Sequence, residues 1–189
     1  GEFYPKLARV QDQFIYIYFT SNDASDYIKK YVLETTSYDE TFGNNGKLII
    51  DDAYAFQESI SFLIDPNDDI FVVGYETNQS QNLQIKVIKF TNENLNVSFG
   101  TNGISQPIIT TTISGVYSIE KHGDKIIIVA ENYSATNSEG ATFLAQLNSD
   151  GTLDSNFGIN GIIRNENFDD LNLAFDYIYS EDSIITSGL

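Results

Sequence analysis

The sequence predicts an all-β chain built from repeats, and three observations support this. Its 189 residues include 13 Phe and 12 Tyr but no Cys, Met or Trp, and these aromatic residues, together with Ile, Val and Thr, favour strands. No apolar stripe with helical spacing persists for a useful length. A nine-residue motif recurs three times at a nearly constant interval, which is the pattern of a repeat architecture.

Each copy of the motif reads as a large apolar residue, Asp or Asn, two variable residues, Phe-Gly, one variable residue and Asn-Gly. The copies are residues 38–46, 95–103 and 153–161, and their Phe-Gly pairs are 57 and then 58 residues apart. Asn-Gly is a strong turn signal, and a glycine after Phe permits a tight bend.

We expect the Phe of each motif to anchor the seam between neighbouring units. A role of the motif's Asn and Asp side chains as ligands is the alternative. The predicted structural residues of the repeat are Phe42, Gly43, Gly46, Phe99, Gly100, Gly103, Phe157, Gly158 and Gly161.

Four short strands are predicted in each unit, separated by turn residues. In the unit 47–103 they are residues 48–50, 60–64, 70–74 and 83–90, and the unit 104–161 repeats this order. The segment 1–46 is a partial repeat with strands two to four, and 162–189 is a partial repeat with strands one to three.

The third strand of each unit is apolar at nearly every position, which fits a strand covered on both faces. Four antiparallel strands per unit of this length are typical of a propeller blade. We therefore predict a β-propeller-like fold with about three and a half blades, forming one propeller domain or a segment of one. A β-solenoid is the alternative.

Composition excludes several functions. The formal net charge is −17, from 27 acidic and 10 basic residues, which disfavours binding to nucleic acid or to anionic membranes. Solubility, adaptation to a salty exterior or weak cation binding each explain this acidity. The lack of Cys excludes disulfides and thiol catalysis. No run of eighteen apolar residues occurs, so no transmembrane helix is predicted.

Two segments, 123–130 and 148–161, make the chain resemble the bacterial delta-60 repeat. That repeat pairs an Asp-Gly-Lys-Ile strand start with a Leu-Asp-x-x-Phe-Gly-x-x-Gly turn. The first copy departs from the pattern at residues 36–38. The resemblance implies a propeller-like β fold in a large secreted or cell-surface bacterial protein, often with a sorting domain for type IX secretion. It implies no catalytic residues.

Candidates for chemistry are few. The single histidine, His122, lies in a polar turn, and no Gly-x-Ser-x-Gly segment accompanies it. Acidic clusters occur at residues 65–69, 148–150 and 169–170, but none matches a calcium-binding loop, and Asp and Asn are ordinary turn residues. We predict no catalytic residue, no metal ligand and no cofactor, with calcium as a minor alternative.

The polar loops 20–26, 77–82 and 133–140 differ between units and are the predicted contact surfaces. Tyrosine side chains could offer a carbohydrate-stacking surface, although packing within the sheets explains them more simply: Tyr16, Tyr18, Tyr31, Tyr75, Tyr117 and Tyr133.

These observations favour a non-enzymatic, exported or cell-surface module that acts as a scaffold or adhesin. A propeller-type carbohydrate-active hydrolase or lyase, and a passive spacer or cargo of a secretion system, are the alternatives. The expected partners are the remainder of a longer polypeptide, or a second copy that closes the propeller, and a glycan or surface protein. No nucleic acid and no membrane insertion are expected.

Overall fold

The computed structural model describes residues 3–21, 25–50, 56, 58–77, 83–110, 115–134, 139–164, 174–180 and 183–188. Within these residues all regular structure is strand, and no helix is present that could cross a membrane. The strands are β1 (Phe3–Gln11), β2 (Phe14–Ser21), β3 (Asp26–Val32), β4 (Leu48–Ile50), β5 (Glu58–Ile64), β6 (Ile70–Thr77), β7 (Leu83–Thr91), β8 (Asn94–Leu95), β9 (Ile108–Thr110), β10 (Gly115–His122), β11 (Lys125–Ser134), β12 (Glu139–Leu147), β13 (Ile162–Arg164), β14 (Ala174–Ser180) and β15 (Ser183–Gly188).

The strands form four antiparallel sheets. The first sheet has the order β1-β2-β3-β4, and the third has the order β10-β11-β12-β13. The second sheet runs β5-β6-β7, with both β8 and β9 paired to β7, and β14 and β15 form a two-stranded fourth sheet. The prediction of an all-β, propeller-like fold with antiparallel four-stranded blades, about three and a half of them, is confirmed.

The sheets are displaced by one strand from the sequence units. The short strand that follows each Asn-Gly turn pairs with the strand before the turn, so β4 closes the first sheet and β13 closes the third. The sheets therefore span residues 3–50, 58–110 and 115–164, although the sequence units begin at 47 and 104. The motif with its Asn-Gly turn connects the two paired strands and returns the chain along the strand that precedes the motif, which explains this displacement.

Among the residues whose burial is described, the core lies in two seams, one between the first and second sheets and one between the second and third. Side chains of β6 alternate between them: Ile70 and Val72 face the first sheet, whereas Phe71 and Val73 face the third. Both faces of β6 are buried, and this explains why its sequence is continuously apolar rather than alternating.

The first strand of every sheet carries a register shift against its neighbour. In β5 the shift lies between Glu58 and Ser61, and in β10 it lies between Val116 and Ser118. Equivalent shifts occur in β1 and β14. Such β-bulges bend a strand and increase its twist. β5 and β10 lie side by side, so the bulged strands of adjacent sheets are neighbours.

Candidate functional site

The Asn-Gly pair of each motif forms a two-residue hairpin turn. In the first copy the Asn44 N–H donates to the Lys47 carbonyl at 2.8 Å, and the Lys47 N–H donates back at 3.2 Å. The central residues, Asn45 and Gly46, have φ of 52° and 77°, as a type I′ turn requires. The second and third copies repeat these bonds and angles at residues 101–104 and 159–162.

The Asp or Asn that stands three positions before the Phe of each motif stabilises a turn in all three copies. A side-chain oxygen of Asp39 accepts a hydrogen bond from the backbone N–H of Thr41 at 3.0 Å. Asn96 and Asp154 accept the equivalent bond at 3.1 and 3.0 Å. This hydrogen bond to the backbone two residues later is the usual Asx-turn geometry.

The Phe side chains of the first two motifs lie in the seams. Phe42 belongs to the first seam, and its ring meets that of Tyr16 edge-on at 5.8 Å. Phe99 belongs to the second seam and meets Phe71 in the same way at 5.9 Å. Phe157 is only half-buried.

The glycine after each Phe stands where a side chain has no room. A Cβ on Gly100, whose φ is 56°, would lie 1.9 Å from the Ile104 carbonyl oxygen. The remaining predicted structural glycines also have positive φ: Gly43, Gly46, Gly103, Gly158 and Gly161.

Backbone hydrogen bonds join the second sheet's motif to the turn that precedes the third sheet's motif. The Gly100 N–H donates to the Asp150 carbonyl at 2.6 Å, and the Gln106 N–H donates to the Gly151 carbonyl at 2.8 Å. The Gln106 side-chain oxygen accepts from the Leu153 N–H at 3.1 Å. We call this set of contacts, made by Gly100, Gln106, Asp150, Gly151 and Leu153, the turn clamp.

Gly151 is the residue that allows the turn clamp to form. Its φ is 86°, and a Cβ there would lie 3.0 Å from both the Gly100 nitrogen and the Phe99 ring. Sequence reasoning assigned no role to Gly151 or Gln106. The signal for Gly151 was available in the Asp-Gly-x-Leu element at residues 150–153, whereas Gln106 lies outside any motif.

A cleft of about 780 Å³ opens beside the turn clamp. Gln84 and Lys86 of β7 line it, together with the hairpin of the second motif and, from the third sheet, Asp150 and Thr152. Its volume is within the usual range for small-molecule sites. Among the described residues that line the cleft, only Ile104 and Pro107 have apolar side chains.

The charged groups of the cleft are already partnered. Lys86 forms an ion pair with Glu76, which also accepts a hydrogen bond from Gln84. Asp150 accepts hydrogen bonds from the hydroxyl and the backbone N–H of Thr152, at 2.6 and 2.9 Å. These hydrogen bonds lower the pKa of Asp150, so the carboxylate is ionised at neutral pH.

Two of the three carboxylates of the first acidic cluster, Asp65 and Asp69, also have partners within the fold. Asp65 is fully buried; it accepts from the N–H groups of Asn67 and Asp69 at 2.9 and 3.1 Å and forms an ion pair with Lys121 of the third sheet. Asp69 pairs with Lys89 at 2.6 Å. Within the described part of the chain no three potential metal-binding side chains converge. The cluster at residues 169–170 lies outside it.

The remaining candidates are scattered. His122 is exposed at the end of β10. Tyr16 and Tyr18 are buried, and Tyr31 and Tyr75 are half-buried. Tyr117 and Tyr133 belong to β10 and β11. The greater part of the predicted contact loops, residues 22–24, 78–82 and 135–138, lies outside the described residues.

The chain is similar to one known family. A family described as "domain of unknown function (DUF5122) beta-propeller" matches residues 124–157, which hold β11, β12 and the third motif as far as Phe157. The match supports a propeller-type repeat. No curated protein and no solved structure matches the chain significantly.

Proposed function

We propose that this chain is a non-enzymatic binding module within a larger, exported β-propeller. The observation that carries the proposal is the turn clamp beside an open polar cleft. The second and third sheets are joined by a buried seam and by backbone hydrogen bonds between their turns, at 2.6 and 2.8 Å. A rigid scaffold of this kind positions loops and clefts for contact without needing chemistry of its own.

The outer face of the first sheet supports a larger assembly. Tyr16 and Phe71 occupy equivalent positions in the first and second sheets, because the ring of each meets the motif Phe of its own sheet edge-on. Ile15 and Ile17 beside Tyr16 therefore correspond to Ile70 and Val72, which are buried against the preceding sheet.

On the first sheet this apolar face is only partly covered, and Ile49 on it is 41% exposed. Such a face favours a further sheet as its neighbour. That sheet would come from the remainder of a longer polypeptide, or from a second copy that closes the propeller.

The proposal further assigns the module to the bacterial cell surface, with a scaffold or adhesin role. It rests on the delta-60 resemblance at residues 123–130 and 148–161, and type IX secretion rests on the same resemblance. The net charge of −17 suits a soluble surface that does not attract nucleic acid or anionic lipid.

The hydrolase or lyase alternative has less support. An enzyme of this kind needs two carboxyl groups facing a common substrate. In the described part of the chain, Asp65, Asp69 and Asp154 are held in ion pairs with lysines, and Asp150 is bonded within its own turn. The spacer alternative predicts that removal of the module leaves the parent protein's binding unchanged.

One immunoblot tests both location and size. Antibodies raised against this chain would be applied to culture medium, protease-treated intact cells and lysate of the organism that encodes it. We expect a band far above 21.1 kDa in the medium, or on cells where external protease removes it. A protease-resistant band near 21.1 kDa found only in the lysate would contradict both export and a larger polypeptide.

A further inference from the structure

We infer that the cleft beside the turn clamp binds a neutral polyhydroxylated ligand, a segment of an uncharged glycan. This inference deepens the proposed binding function, on which it rests, by giving it a site and a ligand class. The cleft volume of about 780 Å³ accommodates a short oligosaccharide, and volumes of this order are typical of ligand sites.

The balance of charge argues against an ionic ligand. The lining side chains include one cation, Lys86, and one anion, Asp150. Lys86 is paired with Glu76, and Asp150 is satisfied by Thr152. An anionic ligand would therefore have to displace Glu76 and also approach a chain of net charge −17, which is unfavourable.

Hydroxyl and amide groups supply the remaining binding capacity. Asn102 and Thr101 are exposed on the hairpin of the second motif, and no hydrogen bond within the described residues engages their side chains. The Gln106 side chain accepts a bond through its oxygen, which leaves its NH₂ group able to donate. Neutral donors and acceptors of this kind match sugar hydroxyls, which both donate and accept.

The backbone that lines the cleft is rigid, which favours binding through neutral hydrogen-bonding groups. Asn102 lies in a type I′ turn with φ of 54°, and the Gln106 backbone is held by its hydrogen bond to Gly151. Preorganised groups lose little conformational entropy when a ligand arrives. The apolar side chains of Ile104 and Pro107 offer contact to the C–H faces of sugar rings.

The test follows backbone amide signals of the ¹⁵N-labelled 189-residue chain during titration with four probes. Three are neutral tetrasaccharides (cellotetraose, maltotetraose and mannotetraose), and the fourth is anionic tetragalacturonate. We expect at least one neutral probe to give saturable shifts centred on Thr101, Asn102, Gln106 and Thr152, and tetragalacturonate to give none there.

Matched variants assign the site. Asn102→Gly keeps the turn, because glycine also adopts its positive φ, and removes the amide; we expect affinity to fall about five-fold, the usual effect of one hydrogen bond. Gln106→Glu keeps the acceptor for Leu153 but removes the NH₂ donor, and should weaken binding similarly. Asn160→Gly makes the same turn substitution in the third motif, which does not line the cleft, and should change nothing.

The inference would be overturned by no shift with any neutral probe, by equal binding of tetragalacturonate at the cleft, or by equal affinity of the Asn102→Gly and unchanged chains. Shifts confined to other loops would also remove the cleft as the site, while leaving the proposed binding function in place. Circular dichroism of each variant establishes that a lost signal is not lost folding.

Discussion

Gly151 lies at the contact between the second and third sheets, where its lack of a side chain matters. Its positive φ of 86° suits glycine, and the absence of a side chain lets it lie against the Phe99 ring and the Gly100 nitrogen. Its carbonyl also accepts the Gln106 N–H. A glycine that combines a left-handed backbone with a close approach from a neighbouring sheet has two independent reasons to resist substitution.

We expect Gly151→Ala to reduce the free energy of unfolding by about 3 kcal/mol, from roughly 1 kcal/mol of backbone strain and about 2 kcal/mol of overpacking. Urea denaturation measures the change. Gly123→Ala is the matched control. Gly123 also has a positive φ, 59°, but a Cβ added there would have no other atom within 4 Å. It should cost only the backbone strain, about 1 kcal/mol. Equal losses in the two variants would show that Gly151 makes no tight contact with Phe99.

Residue roles could be predicted from the sequence where they depend on local geometry. Asn-Gly at residues 45–46 specifies its turn, and the structure has that turn. The role of Gln106 could not be predicted, because it depends on which sheet lies opposite. Its partners, Gly151 and Leu153, are more than forty positions away, and no local pattern records that distance.

At the scale of elements, an ion pair joins the first hairpins of two adjacent sheets. Asp65, directly after β5, meets Lys121 of β10. Burial raises the pKa of Asp65, but the bond from Lys121 and the N–H groups of Asn67 and Asp69 outweigh it, so the pKa is lowered from 3.8. A lowered folded-state pKa means stability that is present above the unfolded value and lost as pH falls through the folded one.

We expect Asp65→Asn to lower the free energy of unfolding by about 2 kcal/mol at pH 7, because Lys121 loses its partner in a partly buried position. The deficit should shrink as pH falls below about 3.8, the unfolded value, because the Asp65 carboxylate of the unfolded, unsubstituted chain is protonated first. It is lost once pH has also passed the lowered folded-state pKa. Urea denaturation between pH 7 and pH 2.5 measures it. Asp68→Asn, on an exposed residue of the same turn, should change stability by less than about 0.5 kcal/mol.

A deficit for Asp65→Asn that stays constant down to pH 2.5 would contradict an ionised Asp65 in the folded state. The same turn also explains why weak cation binding stayed an alternative for its acidic sequence. Asp65 accepts the backbone N–H groups of Asn67 and Asp69 and pairs with Lys121, whereas Asp69 accepts from the Thr91 hydroxyl and pairs with Lys89. Sequence alone does not distinguish these partners from a cation.

The strands themselves could be predicted, but their assignment to sheets could not. The apolar run at residues 70–74 and its equivalents indicated buried strands, because only a strand covered on both faces lacks alternation. The repeat unit predicted from the sequence, residues 47–103, grouped Leu48–Ile50 with the strands that follow it, whereas the structure pairs Leu48–Ile50 with β3. Periodicity identifies a strand and its faces, but pairing depends on the turn before it.

At the scale of the whole molecule, similar sheets follow one another along the chain, and the second sheet is covered on both faces by the first and the third. Each seam combines an apolar layer with polar contacts at its margins, such as the Arg9 side chain, which donates to the Phe62 carbonyl at 3.1 Å. In the described part of the chain the main contacts between sheets join consecutive sheets. Stability in such a stack is expected to be the sum of sheet and seam contributions.

The repeat could be predicted at this scale because every unit must solve the same packing problem and so carries the same turn residues. The cleft could not, because it exists only where the hairpin at residues 98–107 meets Asp150 and Thr152 of the next unit. A site formed by two units has no signature in either unit alone.

The stacking of sheets through the turn clamp is tested most directly by nuclear Overhauser contacts between Gly151 and Phe99. A carbon-edited spectrum of the labelled chain should show contacts between the Gly151 α-protons and the Phe99 ring. Two atoms of that ring would lie 3.0 and 3.1 Å from a Cβ added to Gly151. Contacts between Ile128 and Ala145, paired within the third sheet, serve as the reference. If the reference contacts are present and the Gly151–Phe99 contacts are absent, the sheets are formed but not clamped, and the stacked arrangement described above is wrong.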